Sequence, residues 1–239
     1  MRTLARQLEA GMERLAAASV GRMYEDPFWF ARYGEQRARR FGGEDAVFHV
    51  RHLVQALDTG DAGIMERYVL WLQNLLVPRG MCSHHIAAHL QGLHTALENE
   101  GLTQPPAALD YLRAALNALD WPEGPASAVR AVRPALLEHM LHELLPPDAP
   151  REDAPRERLR EECVLQLSYL MDALGTQRPG LFVDHVRWYA GFWPQRGLEW
   201  SYRRVLEALE SALLRYVPDS KLPRVTVAMG LTALEKTPS

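Results

Sequence analysis

Three residues with ligand-binding chemistry recur at helical spacing in the first half of the chain. Asp45, His49 and His52 are spaced i, i+4 and i+7, so they share one face of a helix. A carboxylate on that face accepts hydrogen bonds from N–H groups, and imidazoles pair with carbonyl or carboxylate groups. The column therefore indicates either a ligand-binding wall or a solvated helix face.

The same column occurs a second time. With an offset of 117 residues, residues 44–80 align with 161–197 without a gap, and eleven of the 37 pairs are identical. Glu162, Gln166 and Tyr169 then occupy the three positions of the column. A shared Trp and a shared Arg-Gly at fixed distance are not expected of unrelated amphipathic helices, so we predict an internal duplication.

Further repeated residues lie beside the column. Tyr68 pairs with His185 and Trp71 with Trp188, and these rings either line a pocket or form core and interface contacts. Two arginines that the offset does not pair lie upstream of the acids, Arg40 five residues before Asp45 and Arg160 two residues before Glu162. They are candidates for pairing with acidic groups of a ligand, and the alternative is that solvent surrounds them.

Other constellations are weaker. Cys82, His85 and His89 have C-x2-H-x3-H spacing, but no fourth ligand is evident and the second copy lacks the pattern, so no metal site is predicted. The chain has no nucleophile elbow, no glycine-rich phosphate loop and no H-E-x-x-H sequence. We therefore expect no catalytic residues and no enzyme activity.

The elements that carry these residues are predicted to be helices throughout. Leu, Ala, Glu and Arg dominate, β-branched residues are scarce, and apolar residues recur at helical spacing, so the fold class is all-α. Glycines are expected at the breaks, at positions 60, 80, 101, 175 and 197. The predicted helices are 3–18, 27–40, 45–58, 62–77, 84–99, 107–119, 126–145, 156–174, 181–193, 199–216 and 223–235.

The duplication predicts two tandem helical domains, 1–103 and 104–239, divided near Gly101, Pro105 and Pro106. By the repeat register, the proline-rich stretch 146–155 is a loop specific to the second copy. The aromatic cluster Phe28, Trp29, Phe30 and Tyr33 is expected to be buried against the other domain or a partner subunit.

Composition bounds the partners. The hydrophobic fraction of 47% is typical of a chain with a packed core. The net charge of −3 provides no positive surface field that would attract nucleic acid. No apolar run is long enough for a membrane span. Because only two cysteines are present, a reducing cytoplasm is the expected location.

The first copy resembles a known family. The string from Glu44 to His52, followed by Ala56-Leu57, Gly60-Asp61, Ile64-Met65-Glu66 and Val69-Leu70, is similar to the shared pattern of the phycobiliproteins. The similarity is gapless over about 35 residues of the first copy and weaker in the second. It implies two tandem globin-like domains, pairwise association as a homodimer or with a helical partner protein, and a groove for a linear tetrapyrrole (bilin).

The departures from the family define the hypotheses. Gly42 and Leu159 stand where the family has its chromophore-bonding cysteine, and Glu44 replaces an arginine that binds a propionate. Asp45 matches the acid that accepts hydrogen bonds from the pyrrole nitrogens. The resemblance thus implies non-covalent bilin binding; the alternatives are a ligand-free interaction module, and haem binding through His49, His52 or His85.

Overall fold

The computed structural model describes residues 1–146 and 154–236, and within these ranges the chain forms helices and no strand. This confirms the all-α fold class. Residues 147–153, which belong to the proline-rich stretch discussed above, lie outside the described residues. The described residues form two compact units, with the main division between Leu119 and Asp120 and the short segment Val77–Cys82 belonging to the second unit.

Unit 1 comprises Met1–Leu76 and Ser83–Leu119. Its longest helix, α4, has 25 residues; it starts after Gly34 and ends at Gly60, both with positive φ. The α-helices are α1 Arg2–Ala10, α2 Met12–Gly21, α3 Phe28–Tyr33, α4 Glu35–Thr59, α5 Gly63–Leu76, α6 Ser83–Asn99 and α7 Ala107–Ala118, with a 3₁₀ helix at Arg22–Glu25.

Unit 2 comprises Val77–Cys82 and the described residues from Asp120 onward. The α-helices are α8 Gly124–Ala131, α9 Arg133–Leu144, α10 Ala154–Gly175, α11 Gly180–Phe192, α12 Tyr202–Tyr216 and α13 Lys221–Glu235, with 3₁₀ helices at Val77–Arg79 and Trp193–Arg196. Leu, Val and aromatic side chains from all six α-helices fill its core.

The two units share a pattern of helix contacts. In unit 1, α1 packs on α4, α2 on α6, and α5 on α7. In unit 2, α8 packs on α10, α9 on α12, and α11 on α13. The contacts therefore follow the same order along the chain in both units, with α7 and α13 each as the last helix. Helix α3 lies between α2 and α4 in unit 1 only, among the described residues.

This pattern explains why the compact units divide later than the boundary at residue 103 expected from the sequence. Helix α7 packs on α5, and the buried Gln73 side chain donates to the carbonyl oxygen of Leu119 (2.7 Å). The Gly101-Pro105-Pro106 stretch is thus a loop inside unit 1, between α6 and α7.

Several predicted helices differ at their ends. The predicted helix 3–18 is two helices that meet at Gly11, and the predicted helix 126–145 is two helices that meet at Val132. A break occurs at Gly34 (φ +78°), after which α4 continues through Gly42 and Gly43 into the helix predicted at 45–58. Glycines 60, 80, 101 and 197 end helices or turns with positive φ, as expected.

Gly175 serves a different purpose from the one expected. It is the last residue of α10 and does not take a positive φ. A Cβ atom at this position would overlap the indole ring of Trp121. The indole Nε1–H donates to Asp172, which lies on α10 with Gly175 (2.8 Å). The glycine is therefore required for close packing of a tryptophan on α10.

The aromatic cluster of α3 packs inside unit 1, whereas we expected it against another domain or subunit. Phe28 and Trp29 are buried, and their rings lie 4.6 Å and 4.9 Å from the His85 ring centroid on α6. Phe30 stacks on Tyr24 in the preceding 3₁₀ helix, with ring centroids 5.7 Å apart. The cluster therefore holds α3 against its own unit.

The contact between α2 and α6 provides a stability test. A Cβ at Gly92 would overlap the backbone carbonyl oxygen of Ser19, whereas a Cβ at Gly43 has no heavy atom within 4 Å. We expect Gly92→Ala to lower the free energy of unfolding by about 1–3 kcal/mol through overpacking. Gly43→Ala, the matched control within α4, should raise it by up to about 1 kcal/mol through helix propensity. Urea denaturation measures both; equal effects would contradict the α2–α6 packing.

Candidate functional site

A groove of about 530 Å³ runs between α4 and α5 in unit 1. Small-molecule pockets in proteins usually measure roughly 300–1,000 Å³. Helical spacing on the two helices places apolar and aromatic side chains along the walls, with a few polar groups among them. The lining residues are Asp45, Phe48, His52, Gln55, Ile64, Arg67, Tyr68, Trp71, Leu72 and Leu75.

Asp45 is the anionic group of the groove. It is half-buried, and among the described residues it makes no hydrogen bond and no ion pair. Burial, together with the neighbouring Glu44 carboxylate, raises the pKa of Asp45 to about 6. A carboxylate in this position would gain free energy from a ligand that donates N–H groups to it.

A parallel ring stack forms the floor of the groove. The His52 ring of α4 lies 3.7 Å from the Tyr68 ring of α5, with 11° between the planes. His52 Nδ1–H donates to the carbonyl oxygen of Phe48 (2.8 Å), so the neutral ring has its unprotonated nitrogen at Nε2. Trp71 extends the row, since its ring is stacked with Tyr68 at 6.2 Å.

His49 lies beneath this stack and does not line the groove. It is 2% exposed, with Nδ1 2.8 Å from the Tyr68 hydroxyl and Nε2 3.3 Å from His89 Nδ1. His89 Nε2 lies 2.6 Å from the Met23 sulfur. Because a thioether only accepts, His89 donates to Met23, His49 donates to His89, and Tyr68 donates to His49.

The electrostatics agree with this assignment of protons. Burial lowers the pKa of His89 to about 4, and burial with the neighbouring His89 and His52 lowers that of His49 well below its ordinary value. Both rings are therefore neutral at pH 7. Both nitrogens of His49 are in use, which leaves none for an axial bond to haem iron in this arrangement.

Two residues flank the groove at the surface. Trp71 is 58% exposed and Phe48 is 44% exposed. Trp71 therefore lines the groove and does not lie in the core, while the interface contact that the sequence also allowed stays a prediction. Two large apolar rings beside a groove favour contact with a ligand or a partner.

The arginines of the groove are not the ones expected. Arg40 is exposed and its Nε donates to Glu44 (3.0 Å), outside the groove lining. Arg67 on α5 lines the groove instead, and its Nη2 donates to Asp61 (2.9 Å). Two residues of this wall, Tyr68 and Trp71, are predicted from the sequence. Helical spacing from these two was also an available signal for the ones that were missed, Ile64, Arg67, Leu72 and Leu75.

The corresponding place in unit 2 has the same framework. The Tyr169 and His185 rings stack at 3.5 Å with 12° between the planes, at positions that the offset of 117 pairs with His52 and Tyr68. His185 Nε2 donates to Gln166 Oε1 (3.0 Å), as His49 and Tyr68 bond in unit 1. The ring types are exchanged, but the stack and its buried polar bond are kept.

The acid of unit 2 is satisfied within the protein. Glu162 is 1% exposed, accepts from the Tyr189 hydroxyl, and forms an ion pair with Arg196 of the 3₁₀ helix. The prediction of a solvated helix face is therefore wrong for this copy, because Gln166 and Tyr169 are also buried.

Two further predicted residues of unit 2 lie nearer the surface. Trp188 is half-buried and its ring stacks on that of Phe192, with centroids 5.2 Å apart. Arg160 is exposed, and its Nη1 lies 3.4 Å from Glu138.

In the described part of the chain, no three His, Cys, Asp or Glu side chains are grouped so as to bind a metal ion. No helix in residues 1–146 and 154–236 has the length and apolarity needed to cross a bilayer.

No family model, curated protein or solved structure matches the chain.

The buried ion pair of unit 2 gives a prediction. We expect Arg196→Met to lower the free energy of unfolding by roughly 3–5 kcal/mol, because the Glu162 carboxylate stays buried without its cation. Arg203→Met, which breaks an exposed pair with Glu235, should cost less than about 1 kcal/mol. Adding Glu162→Gln to Arg196→Met should restore part of the loss. Urea denaturation giving equal losses for the two arginine variants would contradict the buried pair.

The raised pKa of Asp45 predicts a pH dependence. The carboxyl group of Asp45 has a pKa of about 6 in the folded protein, against an ordinary value of 3.8. The contribution of Asp45 to the free energy of unfolding therefore falls as the pH rises from about 4 to 6. Asp45→Asn removes the penalty of the charged form and should raise the free energy of unfolding at pH 7 by about 1–2 kcal/mol, allowing for partial solvent screening. At pH 4 the gain should vanish. Denaturation at the two pH values tests this; a loss of stability at pH 7 would mean that the carboxylate is internally bonded.

Proposed function

We propose that the α4–α5 groove of unit 1 binds a linear tetrapyrrole or a related pigment non-covalently, and that the chain is a binding protein for sensing, carriage or delivery and not an enzyme. The observation that carries the proposal is Asp45, a half-buried carboxylate without a hydrogen bond or ion pair among the described residues, in a groove of aromatic side chains. The resemblance of residues 44–70 to phycobiliproteins supports the same class of ligand.

The polar groups of the groove suit an elongated ligand with N–H donors and acidic substituents. Asp45 would accept from pyrrole N–H groups, and His52 Nε2 offers a second acceptor beside it. Arg67 lines the opposite wall; it is exposed and pairs with Asp61 through Nη2, so its other N–H groups could pair with a propionate. The charges thus differ in sign between the two walls.

The rings of the groove suit a conjugated ligand. His52, Tyr68 and Trp71 form a row of stacked planes, and Phe48 stands at the edge. Aromatic faces stack favourably on flat conjugated rings, by about 0.5–1.5 kcal/mol for each pair of rings. No cysteine lines the groove, and a Cβ at Gly42 would overlap the Tyr24 hydroxyl, which agrees with binding that forms no covalent bond.

A second candidate function is an interaction module that pairs with itself or a helical partner and binds no pigment. The exposure of Trp71, Phe48 and Leu70 on neighbouring helices favours it, because exposed apolar groups in contiguous patches mark interfaces. Haem binding is a third candidate, for which His52 Nε2 is the nitrogen in the groove that is not protonated.

Titration of the purified chain with biliverdin tests the proposal. We expect a red-shifted, sharpened absorption band, because the groove would fix one conformer of a flexible pigment. Asp45→Ala should weaken binding by roughly tenfold to a hundredfold, the range of a charged hydrogen bond of about 1.5–3 kcal/mol. Asp58→Ala, an exposed acid on the same helix, is the matched control and should leave the affinity unchanged.

The outcomes separate the candidates. An absorption spectrum of free pigment at every protein concentration would contradict tetrapyrrole binding. A Soret shift with hemin that is lost on His52→Ala would favour haem. If neither pigment binds and the chain self-associates in sedimentation, with association lost on Trp71→Glu, the interaction module is the better description.

A further inference from the structure

Helix α5 of unit 1 and its counterpart α11 of unit 2 differ at most positions, and two of these differences concern the groove wall. Leu72 and Leu75 of α5 line the groove in unit 1. With the offset of 117, their counterparts in α11 are Tyr189 and Phe192. These two exchanges add a hydroxyl group and two aromatic rings to unit 2.

In unit 2 the added groups occupy the environment of the acid. Tyr189 is fully buried, its hydroxyl donates to Glu162, and its ring contacts those of His185 (4.8 Å) and Tyr202 (5.4 Å). Phe192 is buried and its ring stacks on Trp188. With Arg196 on its other oxygen, the Glu162 carboxylate has a hydrogen-bond donor and a cation from its own chain.

In unit 1 the leucines supply no hydroxyl group, and Asp45 makes no ion pair among the described residues. Leu72 is buried in the wall of the groove and Leu75 is half-buried beside it, and neither side chain can donate a hydrogen bond. The Asp45 carboxylate is therefore left to ligand or solvent.

We propose that position 72 decides whether the groove takes a ligand from outside: leucine leaves the groove of unit 1 to the ligand, while Tyr189 acts in unit 2 as a built-in substitute for it. Leu75 and Phe192 reinforce this difference by volume. The chain consequently binds one pigment, in unit 1. This inference rests on the proposed function and adds the specificity-determining residues and the stoichiometry.

The test transfers the tyrosine into unit 1. Leu72→Tyr should place a phenol beside Asp45, as Tyr189 lies beside Glu162, and should weaken biliverdin binding by roughly tenfold or more, since the ligand then competes with an internal donor. Leu72→Phe is the matched control, which adds the ring without the hydroxyl. Circular dichroism of each variant establishes that the helices are intact.

A second measurement needs no pigment. Carbon-13 NMR titration of the Asp45 carboxyl should show a lower pKa in Leu72→Tyr than in the wild type, because a donated hydrogen bond favours the charged form. In Leu72→Phe the pKa should not fall. If position 72 acts only through side-chain volume, both variants should bind biliverdin more weakly and neither should lower the pKa of Asp45. That result would contradict the proposed role of the tyrosine hydroxyl as a substitute for the ligand.

Stoichiometry separates this inference from the proposed function. Absorbance titration of the wild type should saturate at one biliverdin per chain, and Glu162→Gln should leave that value unchanged. Saturation at two per chain, or full affinity in Leu72→Tyr, would overturn the inference while tetrapyrrole binding stands. If the wild type binds no biliverdin, the proposed function itself is contradicted, and with it the inference about position 72.

Discussion

Each unit places a carboxylate of a long helix partly or wholly out of water, and within the described part of the chain only unit 2 compensates it with groups of its own chain. Removing a carboxylate from water is costly unless hydrogen bonds or a cation replace the water. In unit 2, Arg196 and the Tyr189 hydroxyl do so at Glu162. In unit 1, Asp45 is only half-buried and keeps a raised pKa, which leaves it suited to a ligand that brings its own donors.

Around this difference the framework is the same. A parallel His–Tyr stack, with one buried polar bond beneath it, joins the first two long helices of both units at positions 117 residues apart. The order of helix–helix contacts also agrees from α1 to α7 and from α8 to α13. These correspondences are what a duplicated helical unit predicts. The last helix of each unit also packs on an equivalent partner, α7 on α5 and α13 on α11.

The sequence predicted the helices, the offset and the acid of each column, because periodicity and register are local properties. It did not predict that His49 lies inside the core. At about 100° per residue, His49 lies only about 40° around the helix from Asp45, and spacing alone does not say which edge faces inward. Nor did it predict that α4 runs through Gly42 and Gly43, since packing on neighbouring helices outweighs a low helix propensity. The groove itself depends on side-chain volumes at Leu72 and Leu75, which become informative only when set against Tyr189 and Phe192.

Hydrogen–deuterium exchange with and without biliverdin is the most direct measurement of the central claim, that one acidic column is available to a ligand and the other is not. Slower exchange confined to Glu35–Thr59 and Gly63–Leu76, with Ala154–Gly175 and Gly180–Phe192 unchanged, is the expected result. Protection of the second pair of helices, or of neither pair, would contradict it.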